Sequence, residues 1–242
     1  MMVSEHSALS AFRLENSKTT AIIGGGGKSS LMAVLGEEYR RRGETAVMTT
    51  TTHIRPPEQN GYMGDDAAVL SDLLVTHRLM TVGTMSEERK FGPSPLLEQL
   101  PRLADHVIIE ADGTKGLPLK VPNDQEPVIP AFADTVVAVA GLSALGHPLG
   151  EVCHRPELAL LRFGFSPDRM VTPELMSVLL TSPLAQRKNV GARRYLILLN
   201  QMDQADETKL IELAHLRVQK GVERVVAAAL QRRPNEYMVW ER

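Results

Sequence analysis

The sequence predicts an α/β fold in which a doubly wound, mostly parallel sheet is covered by helices. The first observation is that apolar runs of strand length alternate with helical patterns along most of the chain. The second is that residues 107–109 and 136–140 are apolar without interruption, as in strands buried on both faces. The third is that polar and glycine motifs follow these runs, at the carboxyl ends where such sheets bind ligands.

Length and composition fit a globular protein of the α/β class. The 242 residues predict a single domain, 1–242, with a helical insert at 142–190. Hydrophobic residues make up 43% and charged residues 23%, and the net charge of −2 gives no broad basic surface for nucleic acid or acidic membranes. The polar N-terminus and the lack of a long apolar run predict no membrane span and a cytoplasmic location. A single cysteine excludes internal disulfides.

The order of elements follows from hydrophobic periodicity and from turn residues. Strands are predicted at 19–23, 44–49, 79–82, 106–111, 135–140, 195–199 and 223–228. Helices are predicted from 31 to 39, ended by Gly43, and at 66–76, 95–104 and 206–219. The proline-rich residues 113–130 are predicted to be irregular, and residues 141–190 to be helical and irregular.

A glycine-rich loop joins the first of these strands to the first helix. It reads Gly24-Gly-Gly-Gly-Lys-Ser-Ser30. Glycines let the backbone turn tightly and aim N–H groups at an anion, and the helix adds its positive N-terminal end. We therefore predict a phosphate-binding loop. Lys28 is predicted to act catalytically at the outer phosphates, and Ser29 to bind Mg²⁺. The predicted nucleotide-binding residues of the loop are Gly25, Gly26, Gly27, Lys28, Ser29 and Ser30. The alternative is a plain glycine-rich turn.

The loop departs from the usual G-x-x-x-x-G-K-[ST] spacing, which requires a glycine where this chain has Ile22. Read from Gly24 it is G-x-x-G-K-S, two residues shorter. A similar short loop occurs in the Mur ligase and folylpolyglutamate synthetase families. The departure is therefore compatible with phosphate binding, and a P-loop NTPase-like core is predicted.

Four threonines, residues 49–52, follow the second predicted strand. Beside a phosphate loop, the hydroxyls of Thr51 and Thr52 are predicted to contact phosphate or Mg²⁺-bound water, with His53 and Arg55 supplying positive charge. The alternative is a polar strand end with a solvated basic pair.

Two carboxylates, Glu110 and Asp112, come directly after an apolar strand. On an extended chain they share a face. We predict that one binds Mg²⁺, directly or through water, and that the other positions or deprotonates a nucleophile. A turn-forming Asp-Gly with a solvated glutamate is the alternative. Lys115 and Lys120 are predicted either to contact an anionic ligand or to lie on a solvated loop.

The segment Asn200-Gln-Met-Asp203 follows another apolar strand and is similar to the N-K-x-D guanine-recognition motif, with Gln201 in place of lysine. A carboxylate there accepts two hydrogen bonds from guanine, whereas adenine leaves it unpaired. We predict that Asn200 and Asp203 bind the base. The alternative is that Asp203 caps a helix and Asn200 forms a turn. Cys153 and His154 lack the further ligands that a metal requires, and Pro156 with Glu157 predicts an ordinary helix start.

Together these motifs resemble the YqeC-type proteins, which are named as accessory proteins of selenium-dependent molybdenum hydroxylases or as selenium cofactor biosynthesis proteins. The resemblance covers nearly the whole chain, through residues 24–30, 49–53, 110–120, 154–157 and 200–203. Residues 110–120 are its most specific part, and Gln201 departs from the lysine of many relatives. The resemblance implies a cytosolic protein in cofactor maturation, with a molybdenum hydroxylase or its maturation proteins as partners. It implies a pathway and no particular reaction.

The leading hypothesis is a Mg²⁺-dependent protein that binds GTP in preference to ATP and catalyses slow hydrolysis or phosphoryl transfer. One alternative is a small-molecule kinase or a Mur-ligase-like ATP-dependent ligase, whose acceptor is held by residues 142–184 and the loop 115–120. Another alternative is an adaptor whose binding to a partner is switched by nucleotide, with negligible turnover.

Overall fold

A computed structural model describes residues 2–86, 90–206, 208, 210–213 and 222–241 of the chain. Its strands are β1 (Met2–Glu5), β2 (Thr19–Gly24), β3 (Ala46–Thr50), β4 (Gly61–Tyr62), β5 (Leu79–Val82), β6 (Thr84–Met85), β7 (Phe91–Gly92), β8 (His106–Glu110), β9 (Leu119–Lys120), β10 (Thr135–Gly141), β11 (Cys153–His154), β12 (Arg194–Asn200), β13 (Arg224–Ala229) and β14 (Arg233–Glu241). Its α-helices are α1 (Ala8–Phe12), α2 (Lys28–Arg41), α3 (Ala67–His77), α4 (Leu100–Leu103), α5 (Leu149–Val152), α6 (Pro156–Phe163) and α7 (Pro173–Thr181).

The main sheet has ten strands in the order β1-β14-β13-β12-β10-β2-β8-β3-β5-β4. Every pair from β13 to β4 is parallel, and the two pairs that β14 makes, with β1 and β13, are antiparallel. This confirms the predicted α/β class with a mostly parallel sheet.

The strand β2 lies at the point where the chain changes direction across the sheet. On one side β2 pairs with β8, beyond which lie β3 and β5, and on the other side it pairs with β10, followed by β12 and β13. Loops that leave the carboxyl ends of β2, β8 and β10 therefore diverge. Divergence of this kind opens a crevice at the switch point of a doubly wound sheet.

Helices cover both faces of the sheet, and alternate residues of one strand point into different cores. Ile22 of β2 packs with Leu31 and Leu35 of α2, whereas its neighbours Ala21 and Ile23 belong to a core that includes Leu175 of α7. These side chains are all but fully buried, and each large one contributes about 1.5–3 kcal/mol. Burial on both faces fixes the register of β2 and so the position of the loop after it.

The predicted strands agree with the observed ones to within two residues at each end, and the helix predicted at 66–76 is α3. The helix predicted at 95–104 is wrong over its first half, since only Leu100–Leu103 is helical. Pro101 has no N–H to donate to residue 97, which disfavours a continuous helix and favours a helix that begins just before the proline. Of the helix predicted at 206–219, residues 208 and 210–213 are helical, while 207, 209 and 214–219 lie outside the described residues.

Residues 142–190 contain α5, α6, α7 and the strand β11, which pairs in parallel with β9. Their apolar side chains join the core on one face of the sheet, as Met176 and Leu179 do beside Ile197 of β12. Across the described ranges of the chain, none of the helices has both the length and the apolar content that crossing a bilayer requires.

Candidate functional site

The glycine loop runs from the end of β2 to the start of α2 and is tightly fitted against its neighbours. Gly24 has φ +92°, and a Cβ atom there would lie only 2.2 Å from the carbonyl oxygen of Val139 in β10. Gly27 has φ +133°, and its Cβ atom would lie 2.2 Å from the amide nitrogen of Asn200. Glycine is required at both positions, because other residues disfavour this backbone conformation and would clash.

The N–H groups of the loop divide into two sets. Gly25 donates to Val139 O (2.9 Å) and Gly26 to Leu117 O (3.1 Å), so these two fasten the loop to its walls. At Gly27 no side chain caps the N-terminus of α2, and Lys28, Ser29 and Ser30 of its first turn line an open groove. The first N–H groups of a helix have no partner within it and attract anions. The residues available to an anion thus begin at Gly27.

Lys28 lies almost completely buried between the loop and two carboxylates. Its Nζ donates to Gly24 O (2.6 Å) and lies 3.3 Å from an oxygen of Asp112 and 3.6 Å from one of Glu110. A buried ammonium requires such pairing, because desolvation would otherwise cost several kcal/mol. The structure therefore brings Lys28, Glu110 and Asp112 together, as the sequence predicted.

The two carboxylates have different surroundings. Asp112 is fully buried, and both of its oxygens accept from the N–H of Gly24, at 3.1 and 3.0 Å. Glu110 accepts from the hydroxyl of Ser29 (3.1 Å) and lines the groove. Burial raises the pKa of Glu110, although Lys28 and Ser29 oppose the shift. Asp112 therefore holds the loop, and Glu110 faces the space in front of it.

A chain of buried charges continues from Asp112 to the far wall of the groove. The Nζ of Lys120 lies 3.3 Å from Asp112 and 2.8 Å from Glu126, and it also donates to Gly113 O. Glu126 in turn accepts from Arg155. Burial alone would raise the pKa of Glu126, yet its hydrogen bonds to Lys120 and Arg155 lower it. Sequence reasoning missed Glu126, which lies among prolines with no motif around it.

The threonines after β3 bond mainly to the protein. The hydroxyl of Thr51 donates to Val128 O (2.8 Å), and that of Thr50 donates to Glu110 O (2.9 Å) and accepts from the N–H of Thr52. These bonds tie the end of β3 to the end of β8 and to the segment that contains Val128. His53 and Arg55, in contrast, line the groove in front of the glycine loop.

A smaller cleft of about 260 Å³ opens beside the loop, between the ends of β12 and β13. Asn200 spans its base, donating to Gly26 O (2.7 Å) and accepting from the N–H of Leu230 (3.2 Å). Asp203 lines the cleft, and its buried Oδ2 accepts no hydrogen bond from any described residue, although Nη1 of the exposed Arg232 lies 3.1 Å away. This oxygen is thus held by an ion pair with an exposed side chain and has room for a hydrogen bond from a ligand.

The groove itself has a volume of about 1000 Å³ and runs from the glycine loop to the short β9–β11 sheet. Lys115, His154 and Arg155 lie on its wall. Beside them, Cys153 is buried, and burial raises its pKa to about 12, so the thiol is not activated. Within the described ranges, no three His, Cys, Asp or Glu side chains are grouped to hold a metal by themselves. A Mg²⁺ ion at Ser29 would therefore take further ligands from phosphate and water.

Comparison with known proteins identifies the family to which the chain is similar. The model of the family described as "YqeC protein" matches residues 20–157, more than half of the chain. An "Uncharacterized protein YqeC" of Escherichia coli (strain K12) is 33% identical over 138 residues, which are 54% of this chain and 52% of that protein. The chain thus spans about half the length of this curated relative. No solved structure matches significantly. The family match covers more than half of the chain and includes the glycine loop and both carboxylates, so the chain belongs to the YqeC family.

Proposed function

We propose that the protein is a Mg²⁺-dependent nucleoside triphosphatase or phosphoryl transferase, with GTP favoured over ATP, that acts in the maturation of selenium-dependent molybdenum hydroxylases. The observation that carries the proposal is the placement of an uncapped helix N-terminus, with Lys28 and Ser29, against Glu110 and Asp112. Phosphoryl transfer depends chiefly on positioning and charge neutralisation, and these groups supply both.

In this proposal the phosphates lie against the N–H groups from Gly27 to Ser30. Lys28 exchanges part of its pairing with Glu110 for the outer phosphates, while Asp112 keeps the loop in place through Gly24. The Ser29 hydroxyl and Glu110 are only 3.1 Å apart and are both oxygen donors of the kind that Mg²⁺ binds. When bound, Mg²⁺ would neutralise charge on the phosphates. Glu110, which lines the groove beside Ser29, then orients an attacking hydroxyl or water.

The preference for GTP rests on the cleft beside the loop. Asp203 offers a buried oxygen that accepts no hydrogen bond from a described residue and whose ion pair, at 3.1 Å, is with the exposed Arg232; guanine presents two adjacent N–H donors to a carboxylate. Adenine presents an acceptor at the same position and would leave the carboxylate unpaired. Asn200 joins this cleft to the loop through Gly26, so base and phosphate would bind to one connected unit.

Calorimetric titration with GTP, ATP and their non-hydrolysable analogues, with and without Mg²⁺, tests the proposal. Lys28→Met should weaken triphosphate binding by at least tenfold, equivalent to about 1.4 kcal/mol. The matched control is Lys18→Met, which removes the same charge from an exposed lysine just before β2, at the other end of the strand. Wild-type affinity in the folded Lys28→Met protein would contradict the phosphate site.

Asp203→Asn tests the base assignment separately. It keeps the shape of the side chain and replaces one acceptor oxygen by a donor. We expect GTP to lose affinity while ATP changes little, so the preference between the purines disappears. A preference that survives unchanged would disprove the role of Asp203 without affecting the phosphate assignment.

A second candidate is a small-molecule kinase or an ATP-dependent ligase. The size of the groove favours it, since about 1000 Å³ exceeds what a triphosphate tail fills. Release of diphosphate that depends on an added acceptor, with little hydrolysis in its absence, would distinguish this candidate from a simple triphosphatase.

A further inference from the structure

Outside the glycine loop, the lining of the groove, here called its wall, carries positive charge from separate parts of the chain. Arg55 comes from the segment after β3, Lys115 from the loop after β8, and Arg155 from the start of α6. Arg55 and Lys115 are exposed, yet they line the same concave space as Arg155. Convergence from distant segments is the pattern of a binding site.

The charge balance of the groove is opposite to that of the molecule. Among its described lining residues, the lysines and arginines outnumber the carboxylates by three, while the whole chain has a net charge of −2. Among the described carboxylates, none lies within ion-pair distance of Arg55 or Lys115. Bound nucleotide would engage Lys28 and leave these two cations available.

The pKa of His154 is consistent with a positive electrostatic potential in the groove. His154 lies on this wall, and burial together with the charges of Arg155 and Lys120 lowers its pKa. A histidine held neutral among cations can still donate or accept one hydrogen bond from a ligand. Arg155 is fixed by Glu126, so the wall also has a rigid component. A fixed guanidinium presents parallel donors to phosphate or carboxylate oxygens.

We infer that this wall, through Arg55, Lys115, His154 and Arg155, binds a second, multiply anionic small molecule at the same time as nucleotide. The ligand class is a phosphate- or carboxylate-bearing compound larger than a single phosphate, because the groove is larger than one anion requires. This inference rests on the proposed function, since it assigns the glycine loop to the nucleotide. It makes the groove a two-ligand site.

Equilibrium dialysis of radiolabelled pyrophosphate and, separately, citrate tests the second site on protein saturated with Mg²⁺ and a non-hydrolysable GTP analogue. We expect about one equivalent of at least one probe to bind the loaded protein. Tighter pyrophosphate binding would identify a phosphate-bearing ligand, and tighter citrate binding a polycarboxylate. Arg55→Ala and Lys115→Ala should each weaken the bound probe about tenfold. Arg41→Ala, an exposed arginine in the last turn of α2, is the control and should not change binding.

Two results would overturn the inference. One is that neither probe binds the loaded protein, and the other is that Arg55→Ala and Lys115→Ala both bind the probe as tightly as the wild-type protein. Either would leave nucleotide binding, measured on its own, intact. If the analogue itself fails to bind, the proposed function is wrong and the dialysis is run on unloaded protein. If unloaded Arg55→Ala fails to bind the probe while unloaded Lys28→Met still binds it, the second anion site on the wall is supported. If Arg55→Ala binds the probe and Lys28→Met does not, that site is refuted.

Discussion

Lys120 is the residue on which the buried charges around the glycine loop depend. Its side chain is fully buried and neutralises Asp112 on one side and Glu126 on the other. Lys120→Met preserves most of the volume and leaves both carboxylates short of a partner. Breaking a buried pair in this way costs about 3–5 kcal/mol. We expect that loss in the free energy of unfolding, measured by urea titration at pH 7, whereas exposed Lys115→Met should change it little.

The pH dependence of the same variant gives a second check. Because the pKa of Glu126 is lowered in the folded protein, its contribution to stability is present above the ordinary value of 4.5 and is lost as pH falls further. Without Lys120 the pKa of Glu126 in the folded protein rises towards its ordinary value, so the loss of stability below pH 4.5 should become smaller. Adding Glu126→Gln to Lys120→Met should restore part of the stability. No restoration would show that unpaired charge is not the cause.

Cys153 offers a prediction about reactivity. Burial raises its pKa to about 12, so almost no thiolate exists near pH 8, and the side chain is also shielded. We expect Ellman's reagent to react at least a hundredfold more slowly with the folded protein than with the protein in denaturant. Rapid reaction of the native protein would contradict the buried, protonated thiol.

At the level of elements, the interior strands of the sheet were predicted well from the sequence, whereas the strands β1 and β14 near one edge were not. Strands such as β8 and β10 are continuous apolar runs, because both faces are covered, and this pattern is visible locally. β14 begins with exposed polar residues at 233–236, and its pairing with β1 joins the two ends of the chain. Such a pairing leaves no local signal, so β1 and β14 were missed.

The residues of the candidate site also divide into those that the sequence could predict and those that it could not. The proximity of Lys28, Ser29, Glu110 and Asp112 was predictable, because carboxyl ends of neighbouring parallel strands meet at one edge of a sheet. Asp112 was predicted to bind Mg²⁺ or act in catalysis, yet it is fully buried against Gly24 and two lysines, so that role stays a prediction. Glu126 was not predictable, since its role comes from contacts with Lys120 and Arg155 that depend on how an irregular, proline-rich segment folds back. Thr51 was identified as a ligand, yet its hydroxyl bonds to Val128 O; whether it also contacts nucleotide stays a prediction.

The glycine loop as an element leads to a prediction at Gly27. An added Cβ would lie 2.2 Å from the side-chain nitrogen of Asn200, which donates to Gly26 O. Gly27→Ala should therefore displace Asn200 and disturb phosphate and base binding together, lowering affinity for GTP and ATP alike by at least tenfold. Gly43→Ala is the control, because it also has a positive φ and has open space around it. Equal losses in both variants would point to general strain.

At the level of the whole molecule, the loop connects parts of the sheet that the chain visits far apart. Gly25 bonds to β10, Gly26 bonds to the segment after β8, and Asn200 joins the loop to β12. A ligand at this point would therefore stabilise both halves of the sheet. Since nucleotide binds only the folded chain in this scheme, its binding energy should appear as global stability.

Trp240 provides the means to measure that coupling. It is the only tryptophan of the sequence, it is 3% exposed, and it lies on β14, four strands from β2 in the sheet order. Triphosphate with Mg²⁺ at a hundred times its Kd should add about 2.7 kcal/mol. At about 2–4 °C per kcal/mol for a chain of this size, the Tm from Trp240 fluorescence should rise by roughly 5–11 °C. At the same ligand concentration, a Lys28→Met site weakened tenfold or more should keep at most about half of the rise, and Lys18→Met should keep all of it. An equal rise in both variants would place the ligand elsewhere.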